Sequence, residues 1–236
     1  MIFITGDLHG ALDIQRLDAT NFPEQSEMSK DDFLIIAGDF GLVWNNSENE
    51  LSWRDWLAKR NFTTLFIDGN HENHDLLDAY PVKTWKGGKV HFVNDSIIHL
   101  MRGQVYEIQG LKFFTFGGGE SIDQLGRTPG ESWWAREMPS WTEYEEGLVN
   151  LEKHNWVVDF IVTHECSEKM FDELTKYSIG MYKYQNHLRD FLEEIEEKVS
   201  FKQWFFGHYH DQGGVDDLHT LLYRKILRIG DDPHAF

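Results

Sequence analysis

Five short stretches rich in metal-ligand residue types, each following a run of apolar, β-prone residues, set the strongest limit on what this chain can fold into. They read GDLHG (Gly6 to Gly10), GDFG (Gly38 to Gly41), GNHE (Gly69 to Glu72), THE (Thr163 to Glu165) and GHYH (Gly207 to His210). The runs before them are MIFIT, FLIIA, TLFID, DFIV and QWFF. In an α/β sheet the carboxyl ends of the strands open on one rim, so residues just past five such strands can converge there. The expectation is one site built from Asp, His and Asn.

Between the blocks, the spacing of apolar residues predicts alternating strands and helices. Ala11 to Leu17 suits a helix, and the polar stretch Thr20 to Lys30, with Pro23, suits a surface loop. Phe33 to Ala37 is apolar throughout, as a strand covered on both faces should be. Leu51, Trp53, Trp56 and Leu57 recur at helical spacing within Glu48 to Arg60, with Ser47 and Glu50 placed as a capping box. Thr64 to Asp68 returns as a strand, which completes an α/β alternation. After Pro81 the strand-like runs Val90 to Val93, Ile97 to Met101, Val105 to Ile108 and Leu111 to Phe116 are broken by Arg102-Gly103 and Gln109-Gly110, which suit hairpin turns. A second, more antiparallel sheet is the simplest use of them. Residues 117–139 form a long polar loop, and loops of that length in a compact domain are usually functional or disordered. Thr142 and Glu145 are placed to cap a helix bearing Tyr144, Leu148 and Leu151. A strand over Val157 to Val162 and an amphipathic helix over Asn186 to Lys198 follow. Leu218 to Ile229 reads as a hairpin or edge strands closing the second sheet.

A length of 236 residues suits one domain spanning 1–236, and 41% hydrophobic residues supply its core. With 22 Lys+Arg against 40 Asp+Glu the formal charge is -18, which opposes non-specific binding to nucleic acid. The single cysteine, Cys166, excludes an intrachain disulfide and fits a reducing compartment. The N-terminus lacks the pattern of a signal peptide, and no apolar run approaches the roughly 20 residues needed to span a bilayer. A cytoplasmic protein without a membrane partner is the expectation.

The candidate ligands are Asp7, His9, Asp39, Asn70, His164, His208 and His210. Mixed carboxylate and imidazole sets select Mn, Fe or Zn over Ca. The set exceeds the needs of one ion, and two divalent ions sharing a carboxylate would use it fully. Gly6, Gly38, Gly69 and Gly207 sit at the strand-to-loop turns, where positive φ and close backbone approach are expected.

In this order and spacing the five blocks resemble those of the calcineurin-like metallophosphoesterases, from Gly6 to His210. The resemblance implies a four-layer α/β/β/α sandwich of two mixed sheets flanked by helices. It implies that Asp7, His9 and His210 hold one metal, that Asp39 bridges, and that Asn70, His164 and His208 hold the second, with manganese favoured. It further implies that a hydroxide between the metals attacks phosphorus, while His71 protonates the leaving alkoxide or meets the scissile phosphate. In the second block the protein-phosphatase branch carries an Asp-Arg pair, whereas this chain runs from Asp39 through Phe40 to Gly41. That branch also lacks the full GHxH pattern. A small phosphorylated or nucleotide substrate, monoester or diester, is therefore preferred. A phosphoprotein phosphatase and a non-catalytic metal-binding scaffold are the alternatives. In the long loop Arg127, Trp133, Trp134 and Glu137 are placed to touch substrate, Arg127 through phosphate and a tryptophan by stacking on a base. The rival role for the tryptophans is to pin the loop to the core. Cys166 reads as a buried filler sooner than a nucleophile. His91, His99, His154, His187, His219 and His234 belong to no motif, and neither does His74 beside GNHE.

Overall fold

Side chains leave a strand alternately on its two faces, and the central strands of this chain are apolar on both. A computed structural model describes residues 1–176 and 185–230, so His234 lies outside the described residues. In β2 (Phe33–Ala37) Ile35 and Ala37 face one layer while Leu34 and Ile36 face another, and all four are buried.

The first sheet contains β1 (Ile2–Thr5), β2, β3 (Thr63–Ile67), β4 (Val82–Trp85), β5 (Gly88–Asn94), β6 (Ile97–Leu100) and β13 (Leu227–Arg228), in the order β13-β1-β2-β3-β6-β5-β4. The second contains β7 (Gln104–Ile108), β8 (Leu111–Phe116), β9 (Phe160–Thr163), β10 (Gln203–Phe206), β11 (Gly213–Gly214) and β12 (His219–Leu221), in the order β11-β12-β10-β9-β8-β7. Both are mixed. Register sets Ile4, Ile35, Leu65 and Ile98 in one row across four parallel strands. Facing that row, Phe113 stacks on Phe160 at a centroid distance of 5.1 Å, and Phe205 and Val162 complete the layer between the sheets. Outside the first sheet lie α1 (Glu48–Ala58) and α2 (His74–Asp78), and outside the second α3 (Trp141–Lys153), α4 (Glu168–Thr175) and α5 (His187–Lys198). The expected four-layer α/β/β/α arrangement is what these elements form. Because Phe113 is fully buried between the sheets, Phe113→Ala should cost about 3–5 kcal/mol through lost burial and the cavity left behind. Denaturant midpoints measure this, and a loss below about 1 kcal/mol would mean that the layer is loosely packed.

Several boundaries differ from the sequence reading, each for a local reason. The four runs after Pro81 divide between the sheets. β5 and β6 pair antiparallel and extend the first sheet, with β6 parallel to β3, and of the two expected turns Gln109-Gly110 makes a hairpin, joining β7 to β8. Arg102-Gly103 instead carries the chain from one sheet to the other, since Arg102 is drawn inward onto Asp68, with Nε at 2.8 Å from Oδ2. The Leu218 to Ile229 stretch is not a hairpin. β12 lies parallel to β10, and β13 crosses to pair with β1. Ala11 to Leu17 forms two 3-10 turns rather than one helix, and another turn occupies Pro23–Glu27. The box on α3 is Ser140 with Glu143, two residues earlier than expected, and Glu143 also receives Arg136. At α1, Ser47 accepts from the Glu50 amide, but the Glu50 carboxylate turns away to the amides of Trp44 and Asn45.

Candidate metal centre

Because β1, β2 and β3 run parallel in one sheet and β9 and β10 in the other, the blocks that follow them meet across the sandwich. Gly207 N donates to His164 O at 3.1 Å, His208 N to Asp7 Oδ1 at 3.1 Å, and His164 Nδ1 lies 2.9 Å from Ala37 O. Close approach holds at Gly6, Gly38, Gly69 and Gly207 alike, where an added Cβ would overlap a neighbouring atom. Gly38 adopts φ 95° beneath the His164 ring, and a Cβ on Gly69 would overlap the Asp39 carboxylate. Positive φ, expected from the sequence at all four of these glycines, is found at one of them. It falls on Gly38 and on ligand candidates themselves, with His9 at 49°, Asp39 at 48°, His208 at 72° and His210 at 51°.

Among the described residues, Asp7, His9, Asp39 and His210 each place one ligand atom within 4.8 Å of the others. His9 Nε2 is 3.3 Å from Asp39 Oδ2, and His210 Nε2 is 3.2 Å from Asp7 Oδ2. That last contact is an ion pair without hydrogen-bond geometry, so Asp7 Oδ2 is buried with no hydrogen-bond partner. A buried carboxylate oxygen costs free energy unless something polar meets it, and a cation among these four residues would. On the other side of Asp39, Oδ1 is 3.4 Å from His164 Nε2, which lies 3.2 Å from Asn70 Oδ1. The His208 ring packs on His164 at 4.9 Å between centroids. All seven candidate ligands thus adjoin, and the two oxygens of Asp39 face different halves of the cluster.

Electrostatics agree with a cation site. Burial alone would raise the Asp39 carboxyl, yet His164, His9 and His71 hold it well below the ordinary carboxylate range. Burial likewise disfavours a proton on His164, but Asp39 and Asp7 raise its pKa, and contact with Asp7 raises that of His210. A field that favours a proton there favours a metal ion too. Glu72 stays buried behind the cluster, its Oε1 accepting from Phe40 N at 2.6 Å and bracing the turn that carries Asp39. Burial and the nearby Asp39 push the Glu72 pKa well up.

His71 donates its backbone amide to Asp39 Oδ1 at 2.8 Å and leaves its ring facing an open cavity of about 860 Å³. Arg127 reaches the same ring, with guanidinium nitrogens 3.4 and 3.5 Å from His71 Nδ1 and Nε2, and its Nη2 donates to Asp123 at 2.9 Å. Burial lowers the His71 pKa, and Arg127 lowers it further against the pull of Asp39. The two tryptophans lie elsewhere. Trp133 Nε1 donates to Glu137 and Trp134 Nε1 to Asp75, each at 2.9 Å, and Trp134 packs edge-on against Trp44. Neither lines the cavity, and it is Trp134 that ties the loop to α2 through Asp75. Glu137 is buried under the loop, out of reach of a substrate. Cys166 is buried, its Sγ donating to Tyr209 Oη at 3.3 Å, with the thiol pKa well up through burial. His74 is buried and lies outside the group formed by Asp7, His9, Asp39 and His210, and burial lowers its pKa to about 3.

Some residues of the site escaped the sequence reading. Glu165 lines the cavity 3.9 Å from His208 Nε2, receives the Cys166 amide at 2.9 Å and bonds the Tyr209 hydroxyl. Arg16 holds the carbonyls of Gly6, Asp7 and Tyr223, and burial pushes its guanidinium down to about 10. Position inside THE was a signal for Glu165. Nothing in its neighbours marked Arg16.

A two-sheet sandwich with Asp, His and Asn gathered on its rim defines a metal-binding enzyme site. The sequence pattern of the calcineurin-like phosphoesterases matches residues 1–212, and the chain belongs to that family of metal-dependent phosphoesterases. A lariat debranching enzyme of Schizosaccharomyces pombe is 22% identical over 232 residues, covering 88% of this chain and 47% of the relative. The chain thus spans about half the length of that curated relative. GAP50, the anchor in the inner membrane complex of Plasmodium, superposes with a TM-score of 0.51 at 12% identity, covering 94% of this chain and 70% of that one, a likeness of fold alone. Among the described residues no helix is long and apolar enough to cross a membrane.

Proposed function

We propose that the chain, as one calcineurin-like domain over 1–236, hydrolyses phosphoester bonds of small phosphorylated or nucleotide substrates at a two-metal centre. Asp7, His9 and His210 would hold one divalent ion and Asn70, His164 and His208 the other, with Asp39 shared. The observation that carries this reading is Asp39 itself, whose Oδ2 faces His9 and whose Oδ1 faces His164. Manganese, iron or zinc suits such mixed ligands, and manganese is favoured. Bound there, two such ions would supply positive charge to the phosphoryl oxygens and a hydroxide nucleophile near neutral pH.

The chain's own residues account for orientation and proton transfer. Arg127 and the His71 ring flank the same part of the cavity, so a phosphoryl group beside Asp39 would meet both. An anion bound there raises the proton affinity of the imidazole. His71 would then give a proton to the departing oxygen while Arg127 steadies the phosphate. Lariat debranching, the activity named for the yeast relative, acts in that protein; in this chain a formal charge of -18 opposes polyanions and favours small substrates. The lone, buried Cys166 suits a cytoplasmic setting.

Assays of p-nitrophenyl phosphate and bis-p-nitrophenyl phosphate with manganese, extended to nucleotides and, as a control, to a phosphopeptide, test the reading. Hydrolysis of any of them, lost on chelation, is the expected result. Metal uptake without hydrolysis of any member would favour a binding scaffold, and turnover confined to phosphopeptides would favour the protein-phosphatase alternative.

A further inference from the structure

Asn70 is the one carboxamide among the ligand candidates, and it can be presented the wrong way round. Its carboxamide offers an oxygen that can ligate a cation and an NH2 that cannot. In the structure Oδ1 faces His164 Nε2 at 3.2 Å, while Nδ2 donates to Ser121 Oγ at 3.1 Å. Ser121 lies in the long loop after β8. Its hydroxyl donates its single proton to Glu137 Oε2 at 2.7 Å, which leaves only lone pairs to meet Asn70. The other carboxylate oxygen, Oε1, accepts from Ser121 N and Trp133 Nε1 at 2.9 Å and from Gln124 Nε2 at 3.3 Å. Those three are N–H groups that can only donate, so Glu137 is the fixed acceptor of the chain. Asn70, Ser121 and Glu137 are 6%, 4% and 1% exposed, so water competes poorly for any of these bonds.

We infer that Glu137 and Ser121 are positioning residues for Asn70, holding its carboxamide oxygen toward the second metal through a one-way hydrogen-bond relay. The relay ties a ligand on the β3 rim to the loop over 117–139, and Gly119 of that loop packs beside His164 and Asn70. The inference rests on the two-metal reading above. Outer partners of metal ligands typically contribute 10–100-fold to metal affinity, and a relay set by polarity has its own signature. Glu137→Gln keeps the shape of the side chain but places an NH2 where the Ser121 hydroxyl needs an acceptor. The hydroxyl would then turn its proton toward Asn70 and favour the flipped amide. Ser121→Ala removes the acceptor of Asn70 Nδ2 and leaves the bonds from Trp133 and Gln124 to Glu137 in place.

The test is manganese titration of the metal-stripped protein by calorimetry, with the bound metal counted by elemental analysis, for wild type, Ser121→Ala, Glu137→Gln and Ser121→Thr, which retains a hydroxyl. The expected result is two sites in wild type. One of the two should fall by about 10–100-fold in both Ser121→Ala and Glu137→Gln, the same site in each, with the other site unchanged and partial recovery in Ser121→Thr. Unchanged affinities in both disruptive variants would overturn the inference, and so would equal loss at both sites, which is the mark of a general folding defect. A wild-type protein that takes up one ion would overturn the two-metal reading itself, an outcome distinguishable from the others.

Discussion

Asp39→Asn is expected to lower turnover by at least about 10³-fold and to reduce bound metal below two ions per chain. Both of its oxygens are engaged, Oδ2 near His9 and Oδ1 near His164, and it is 1% exposed. An amide has one ligating oxygen, so its NH2 would face one half of the cluster and repel the ion held there. The negative charge that raises the His164 pKa would be lost as well. Removing one member of a buried, mutually paired charge set generally costs about 3–5 kcal/mol, and a 10³-fold effect corresponds to about 4 kcal/mol at 1.36 kcal/mol per tenfold. Elemental analysis alongside the rate on p-nitrophenyl phosphate measures both quantities. A variant within tenfold of wild type and carrying a full metal complement would remove the bridge from the mechanism.

The complementary change, His71→Ala, should leave metal content intact and lower kcat by about 10²–10⁴-fold, the usual range for a lost acid or base. The His71 ring is outside the group of ligand atoms that lie within 4.8 Å of one another, and its backbone amide, which the variant keeps, is what touches Asp39. The loss should be smaller for substrates with acidic leaving groups, because those depart without a proton. Comparing p-nitrophenyl phosphate with an alkyl phosphate exposes that difference. Purified His71→Ala protein devoid of metal would instead place His71 among the ligands and undo the division of roles.

The ligand cluster was legible because its residues sit within a few positions of strand ends, and strands are written in the sequence as apolar runs. Parallel strand topology then carries short-range pattern into long-range convergence. Where pattern was silent, sequence reading fell short. Val90 to Val93 and Ile97 to Met101 are good strands in either sheet, and only the buried pair of Arg102 with Asp68 shows where the chain changes layer. Trp133 and Trp134 carry the same side chain whether they stack on a substrate or anchor a loop. Their partners, Glu137 and Asp75, are what separate the two roles, and Asp75 lies 59 positions from Trp134. Arg16 and Ser121 act through contacts of the same distant kind.

The left-handed backbone at His9, Asp39, His208 and His210 carries a consequence for how this centre can change over generations. Residues with a Cβ are disfavoured there by about 1–2 kcal/mol each, so drift toward glycine would relax the chain at the moment it emptied the centre of donors. Selection on stability and selection on chemistry therefore pull in opposite directions at these same positions, and a descendant that gave up its reaction would be expected to show the change first at these turns.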